Sequence, residues 1–226
     1  VAVVGNSAAA VGSAQQYHAS RVNLNAAAYD SNANKVLIIY NSDTSGDNGL
    51  YGVVGTVSGT SISYGTPVVV ESGQFYDITN AVFDSSNNKI VFGYRTGTSS
   101  GVKMVVATIS GTTVSFGSAT SVEAASTENG TAIGYDVASG KIVVVYKAAA
   151  NNQYITAVVG TISGTSISFG TPTVVASQNN SIGHAVVYDS SVQKTVVAFK
   201  SGDHATAAVS TISGTSISFG SSTVLN

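Results

Sequence analysis

The chain repeats itself, and the period of the repeat limits what it can fold into. The block Gly55–Val70, GTVSGTSISYGTPVVV, returns as ATISGTTVSFGSATSV from Ala107, as GTISGTSISFGTPTVV from Gly160 and as STISGTSISFGSSTVL from Ser210. A second block keeps step with it, anchored by Asp30, Asp84, Asp136 and Asp189, each followed five residues later by a lysine: Lys35, Lys89, Lys141 and Lys194. Successive anchors are 52 to 54 residues apart. A unit of that size is a supersecondary module that cannot bury its apolar face alone and must pack against its neighbours.

Within a unit, turn residues cut the apolar runs into four segments of strand length. In the third unit these are Thr131–Asp136, Lys141–Lys147, Tyr154–Ser163 and Ser166–Val175. Val137–Gly140 and Gly164–Thr165 read as tight turns between antiparallel neighbours, and a loop centred on Asn151 and Asn152 joins the middle pair. The spacing predicts an all-β chain: a β-propeller of four four-stranded blades, with repeats at about 21–72, 73–124, 125–177 and 178–226. Residues 1–20 form a stub, whose part Ala8–Ser20 aligns with the fourth-strand segment SISFGTPTVVAS; it reads as an extra N-terminal strand that closes the ring against the last blade or, since that blade already has its own fourth strand, as an edge cap, a link to a preceding domain or the remnant of a fifth blade. A linear array of small β-sandwich or β-prism modules is the alternative.

The repeated positions have structural readings. Each aspartate is expected to accept turn N–H groups, with its lysine forming an exposed ion pair across the turn. Gly59, Gly111, Gly164 and Gly214 open the turn before the fourth strand, where positive φ is needed. Tyr64, Phe116, Phe169 and Phe219 recur before a glycine in that strand and read as packing between neighbouring blades.

Charged residues make up only 9% of the chain and the net charge is −2, so solubility rests on hydroxyls and amides and no basic field exists to hold nucleic acid. The absence of cysteine excludes a disulfide framework, a thiolate metal site and a cysteine nucleophile. No apolar run reaches the roughly 18 residues of a membrane span, so membrane insertion is not expected. A sequence starting at Val1 is expected to be a processed product or part of a longer polypeptide. No phosphate-binding glycine loop is present, His18, His184 and His204 fall in different units, and no cofactor is expected. Gly97–Gly101 matches G-x-S-x-G but lacks the helix that a nucleophile elbow requires.

What differs between the copies is a better guide to function. The loops between second and third strands (NSDTSGDNG, RTGTSSG, KAAANNQ, KSGDHA) and those linking successive units vary in length and chemistry, and in an up-and-down blade both sets emerge at one end. The candidate ligand-binding residues there are Tyr17, Arg21, Phe75, Tyr76, Asp77, Arg95, Asn152, Tyr154, His184 and His204. Planar amides and charges bond hydroxyls, and the aromatics offer flat apolar faces. Asp43 and Asp47 stand at alternating positions as in a calcium loop, although its glycine comes one place late and Val54 replaces the closing glutamate.

The block GTISGTSISFGTPTVV with its companion AVVYDSSVQKTVVAF resembles tandem repeats of phage and virion structural proteins and of large bacterial surface proteins. The resemblance implies a non-enzymatic module of a tail fibre, spike or decoration protein, on a virion or outside the cell. The expected partners are other virion or surface proteins and a glycan receptor, met as part of a longer chain or a homo-oligomer. A purely architectural role, in contact with coat protein or with itself, is the alternative. A glycan-cleaving enzyme would need two carboxylates converging at about 5–10 Å, and the acidic residues outside the turns are spread over the units.

Overall fold

The computed structural model describes residues 12–19, 21–75, 77–97, 100–122, 130–177 and 183–224. They form an all-β protein of four antiparallel sheets, one per repeat. Sheet 1 contains β1 (Val22–Asp30), β2 (Lys35–Thr44), β3 (Asp47–Ser58), β4 (Ser61–Tyr64) and β5 (Val68–Ser72). Sheet 2 contains β6 (Asp77–Ile78), β7 (Val82–Asp84), β8 (Lys89–Arg95), β9 (Lys103–Ser110), β10 (Thr113–Phe116) and β11 (Thr120–Ser121). Sheet 3 contains β12 (Ala132–Asp136), β13 (Lys141–Ala148), β14 (Tyr154–Ser163), β15 (Ser166–Phe169) and β16 (Thr173–Ala176). Sheet 4 contains β17 (Ala185–Asp189), β18 (Lys194–Ser201), β19 (His204–Ser213), β20 (Ser216–Phe219) and β21 (Thr223–Val224).

Each sheet is a four-strand meander whose fourth strand is broken in two, both pieces pairing with the third strand. The break has a tertiary cause. In sheet 3 it falls at Gly170–Pro172, where Pro172 has no N–H for the ladder and Gly170 passes so close to sheet 4 that a Cβ would lie 1.9 Å from the Thr215 carbonyl oxygen. The turns at Gly59, Gly111, Gly164 and Gly214 have φ of +59° to +62°, as their glycines require.

The turn aspartates behave as expected on one side only. Asp30 Oδ1 accepts the N–H groups of Asn32 and Ala33 at 2.9 and 2.8 Å, and Asp84 and Asp136 act alike in their own turns. The expected exposed ion pair gives way to a different arrangement: Asp30, Asp84 and Asp136 are buried, and Asp136 also accepts Thr195 Oγ1 of sheet 4 at 2.8 Å. Lys89, Lys141 and Lys194 reach across the sheet to Thr108, Thr161 and Thr211 at 2.9 to 3.1 Å.

Because side chains alternate along a strand, each central sheet has two apolar faces, and the stack holds three separate cores. Leu37, Ile39, Leu50 and Val54 of sheet 1 meet Ile90, Phe92, Tyr94 and Val105 of sheet 2. Val91, Met104 and Val106 of sheet 2 meet Ile133, Ile142, Val144 and Tyr146 of sheet 3. Val143, Val145, Ala157 and Val159 of sheet 3 meet Val197, Phe199, Ala208 and Ile217 of sheet 4. Fully burying each such side chain stabilises by about 1.5–3 kcal/mol. Phe116 lies over Gly52 of the preceding sheet, and Phe169 and Phe219 join the cores their sheets share with the preceding one, so these aromatics do pack between sheets.

The described part of the stub corrects one expectation. Gly12–Ala19 forms no strand and lies against sheet 1, where Tyr17 contacts the Tyr40 and Tyr64 rings at centroid distances of 5.2 and 5.9 Å.

Candidate functional site

Strand pairing brings both sets of variable loops to one end. Asp77 pairs with Arg95, Ser72 with Gly49 and Ser201 with His204, so the second-to-third-strand connections and the inter-sheet connections are neighbours. In sheet 1 the segment read as a loop, Asn41–Gly49, is a hairpin: β2 and β3 continue through it to a turn at Ser45–Gly46, with Asp43 opposite Asn48.

Alternation along that hairpin sends Asp43 and Asp47 to opposite faces. Asp47 faces the N-terminal segment, accepting Tyr51 OH at 2.6 Å and Ser42 Oγ at 3.1 Å and lying 2.9 Å from His18 Nε2. The Tyr51 hydrogen bond is the first cause of its lowered carboxyl pKa. Tyr40, bonded to His18 Nδ1 at 3.1 Å, is pushed up to about 12 by burial and then by the Asp47 charge. Asp43 faces sheet 2. The two carboxylates therefore do not meet around one cation, and among the described residues no group of three metal-ligating side chains exists.

Asp43 instead lines a cleft of about 120 Å³ between sheets 1 and 2, with Asn23, Asn41, Asn48, Gln74 and Phe75. Its Oδ2 accepts Asn23 Nδ2 and lies 3.6 Å from the Arg21 guanidinium, which itself donates to Asn23 Oδ1 at 3.2 Å. Its Oδ1 is buried without a hydrogen-bond partner. Asn41, 2% exposed, is fixed by donating to the Ser42 and Gly49 carbonyls at 3.1 and 3.3 Å. Phe75 closes the floor; it is 9% exposed and packed edge-on against Tyr94, so it supplies apolar wall rather than an open stacking face.

The remaining candidates are spread along the same end rather than gathered in this cleft. Asp77 and Arg95 pair between sheets 2 and 3, with Nε 3.7 Å from Oδ2 and the arginine 2% exposed. Burial raises the Asp77 pKa, against the opposing pull of Arg95 and of backbone N–H groups. His184 sits between sheets 3 and 4 on the Gly130 carbonyl, and its pKa is lowered by burial first and by the Lys147 charge as well. Tyr154 is half-buried at the start of β14 beside Asn152, whose φ of +50° ends a short 3-10 turn at Ala149–Asn151. His204 is exposed on sheet 4. Tyr76 lies outside the described residues.

Phe75 thus lines the cleft and Arg21 borders it through Asp43 and Asn23, and the sequence reading missed the amides there. Asn41 carried a signal: it follows Leu37 and Ile39 at intervals of two on a face that is otherwise apolar. Asn48 stood in a variable loop and Asn23 and Gln74 in variable connections between units, with nothing to set them apart from the other residues there. In the Gly97–Gly101 motif Thr98 and Ser99 lie outside the described residues, and Ser100 Oγ is bonded to Gly97 N and O at 2.8 and 2.9 Å.

The described residues define a repeat protein of four antiparallel sheets with a polar cleft at its variable end. Compared with known proteins, the chain matches no family model and no curated protein sequence.

Proposed function

We propose that this chain is a non-enzymatic structural and recognition module, displayed on a virion or cell surface, with its four sheets arranged as the blades of a propeller-like array left open between sheet 4 and sheet 1. It binds a glycan through the variable end. The observation that supports this reading is the cleft between sheets 1 and 2, where a buried carboxylate oxygen without a partner stands among four amides above an apolar floor. A hydroxyl-rich ligand is the natural match: its O–H groups donate to Asp43 Oδ1 and exchange bonds with the amides, while a C–H face meets Phe75. The cleft holds about one sugar residue, so a terminal or branching sugar is expected.

A glycan array screened with the purified chain, with and without calcium, tests this. Selective retention that is lost in Asp43→Ala and unaffected by calcium is the expected result. Retention that survives Asp43→Ala places the site elsewhere, and retention of no sugar overturns the reading. A purely architectural role draws on one other observation, the uncovered apolar face of sheet 4.

A further inference from the structure

Each sheet meets its successor through two contacts that recur along the chain. A Cβ built on Gly65 would lie 2.0 Å from the Thr112 carbonyl oxygen of sheet 2; Gly117 meets Thr165 at 1.8 Å, and Gly170 meets Thr215 at 1.9 Å. Gly12 stands in the same relation to Thr60 of sheet 1, at 1.7 Å. Six residues beyond Gly12, Gly65 and Gly170, a side chain faces the aromatic near the end of the successor's second strand. His18 bonds the Tyr40 hydroxyl and Glu71 bonds that of Tyr94, whereas the apolar Ala176 shares a core with Phe199, which has no hydroxyl to satisfy. By both contacts, Gly12–Ala19 plays the part of the fourth strand of a sheet preceding sheet 1.

Among the described residues, sheet 4 carries the same outgoing face with nothing on it. Only the carbonyl of its own Val209 comes within 4 Å of a Cβ on Gly220, at 3.9 Å. Val54, Val106 and Val159, in one register of three sheets, are 0%, 1% and 0% exposed; their counterpart Val209 is 48% exposed. Val209 stands in a cross-strand row with Val196 and Val187, and Ala207, Ala198 and Ala185 form the next row. These rows hold no charge and no hydrogen-bonding side chain. In the other three sheets the same face is covered by a sheet of this repeat.

We propose that the outgoing face of sheet 4 docks the incoming face of sheet 1 of a second copy of this chain, head to tail, and that Gly12–Ala19 competes for that incoming face. Both halves of the contact are present in one chain, which is the condition for a heterologous interface that builds rings or filaments. On docking, Gly220 takes the Thr60 carbonyl of the other copy, and Tyr64 of that copy covers Ala207 as Phe116 covers Gly52. Gly12 and Gly220 need the same carbonyl, so the N-terminal segment holds the full chain apart from its neighbours until it is displaced. None of this depends on what the Asp43 cleft binds.

Sedimentation velocity over a concentration series tests it. The full chain is expected as a 22.7 kDa monomer. Gly12→Val, which leaves the segment no room on Thr60, is expected to form concentration-dependent oligomers. Gly220→Val added to it is expected to restore the monomer, and alone to leave the melting temperature unchanged, because its side chain meets open space until a neighbour docks. A second measurement traps docking each time the segment leaves Thr60 transiently, with no variant needed to force it off: the chain has no cysteine, so Thr60→Cys and Ser221→Cys proteins mixed under oxidising conditions are expected to cross-link to each other faster than either does to itself. Three results would overturn the proposal: Gly12→Val folded and monomeric throughout, oligomers persisting in the double variant, or a monomer that Gly220→Val destabilises, which would mean closure within one chain.

Discussion

Val159 and Val209 occupy the same register in sheets 3 and 4, and the stacking of the sheets predicts that truncating them has different costs. Val159 is 0% exposed in the core between those sheets, while Val209 is 48% exposed on the free face. Val→Ala at the first site loses about 1.6 kcal/mol of transfer free energy, at about 0.8 per methyl-sized group. A cavity term of about 1 kcal/mol adds to it, because a close-packed interior relaxes only in part. At the second site about half of the transfer term applies and no cavity forms, leaving about 0.8 kcal/mol. The loss of strand propensity is common to both and cancels in the comparison. With about 2–4 °C per kcal/mol for a chain of this size, Val159→Ala should lower the melting temperature by roughly 5–10 °C and Val209→Ala by about 2–3 °C. Thermal and urea melts followed by circular dichroism give both values. Equal losses at the two sites would refute the assignment of the sheet 4 face as free, and with it the stacking order.

Asp136→Ala should cost about 2–3 kcal/mol, since it strips a buried acceptor from Ser139 and from Thr195 of the next sheet, while Asp189→Ala, in the exposed turn of sheet 4, should cost less; urea melts that give equal losses would contradict the inter-sheet role. The lowered pKa of His184 means that the unfolded chain takes up its proton first, so this contribution to stability is intact above about pH 6.5 and is lost as pH falls through the folded value. Melting temperatures measured against pH should show that loss in the native chain, and a profile unchanged in His184→Gln would contradict it. Gly164→Ala, at φ +62°, should cost about 1–2 kcal/mol by denaturant melt, and the loss should be nearly absent in Gly164→Asn, which tolerates that conformation.

The strands were legible because two local signals agreed, β-branched apolar runs and turn residues at fixed offsets. In the third repeat the expected and observed second strands differ by one residue, Ala148. The break at Gly170–Pro172 was not legible, because its cause is the approach of another sheet and not a preference of the segment itself. Asn41–Gly49 misled for the opposite reason. Asn, Ser, Asp and Gly favour turns, and here ladder pairing holds them extended, Ser42 against Gly49 and Asp43 against Asn48. Loop variation pointed to the correct end for the cleft and its segments took in Asn23 and Asn41, yet neither was singled out, because it is strand pairing that aims them into the cleft. Comparison of variable segments alone does not say which of their residues the sheets aim into a cleft.

One backbone position shows how the repeat separates scaffold from recognition. Six residues beyond the anchor lysine, near the end of each second strand and facing the next sheet, stand Asn41, Arg95, Lys147 and Lys200. The backbone slot is the same each time, and the first three are buried. The neighbours differ. Asn41 borders the cleft of Asp43 and Phe75, Arg95 pairs with Asp77, and Lys147 lies close enough to His184 to shift its titration. Lys200, with no sheet beyond it, reaches Asp203 of its own turn at 3.6 Å. Two residues earlier in the same strands the side chains are Ile39, Gly93, Val145 and Ala198, which only fill space. The change from packing to chemistry thus takes place within a single step along one face, so the side chains between successive sheets differ in chemistry without altering the cores that hold the sheets together.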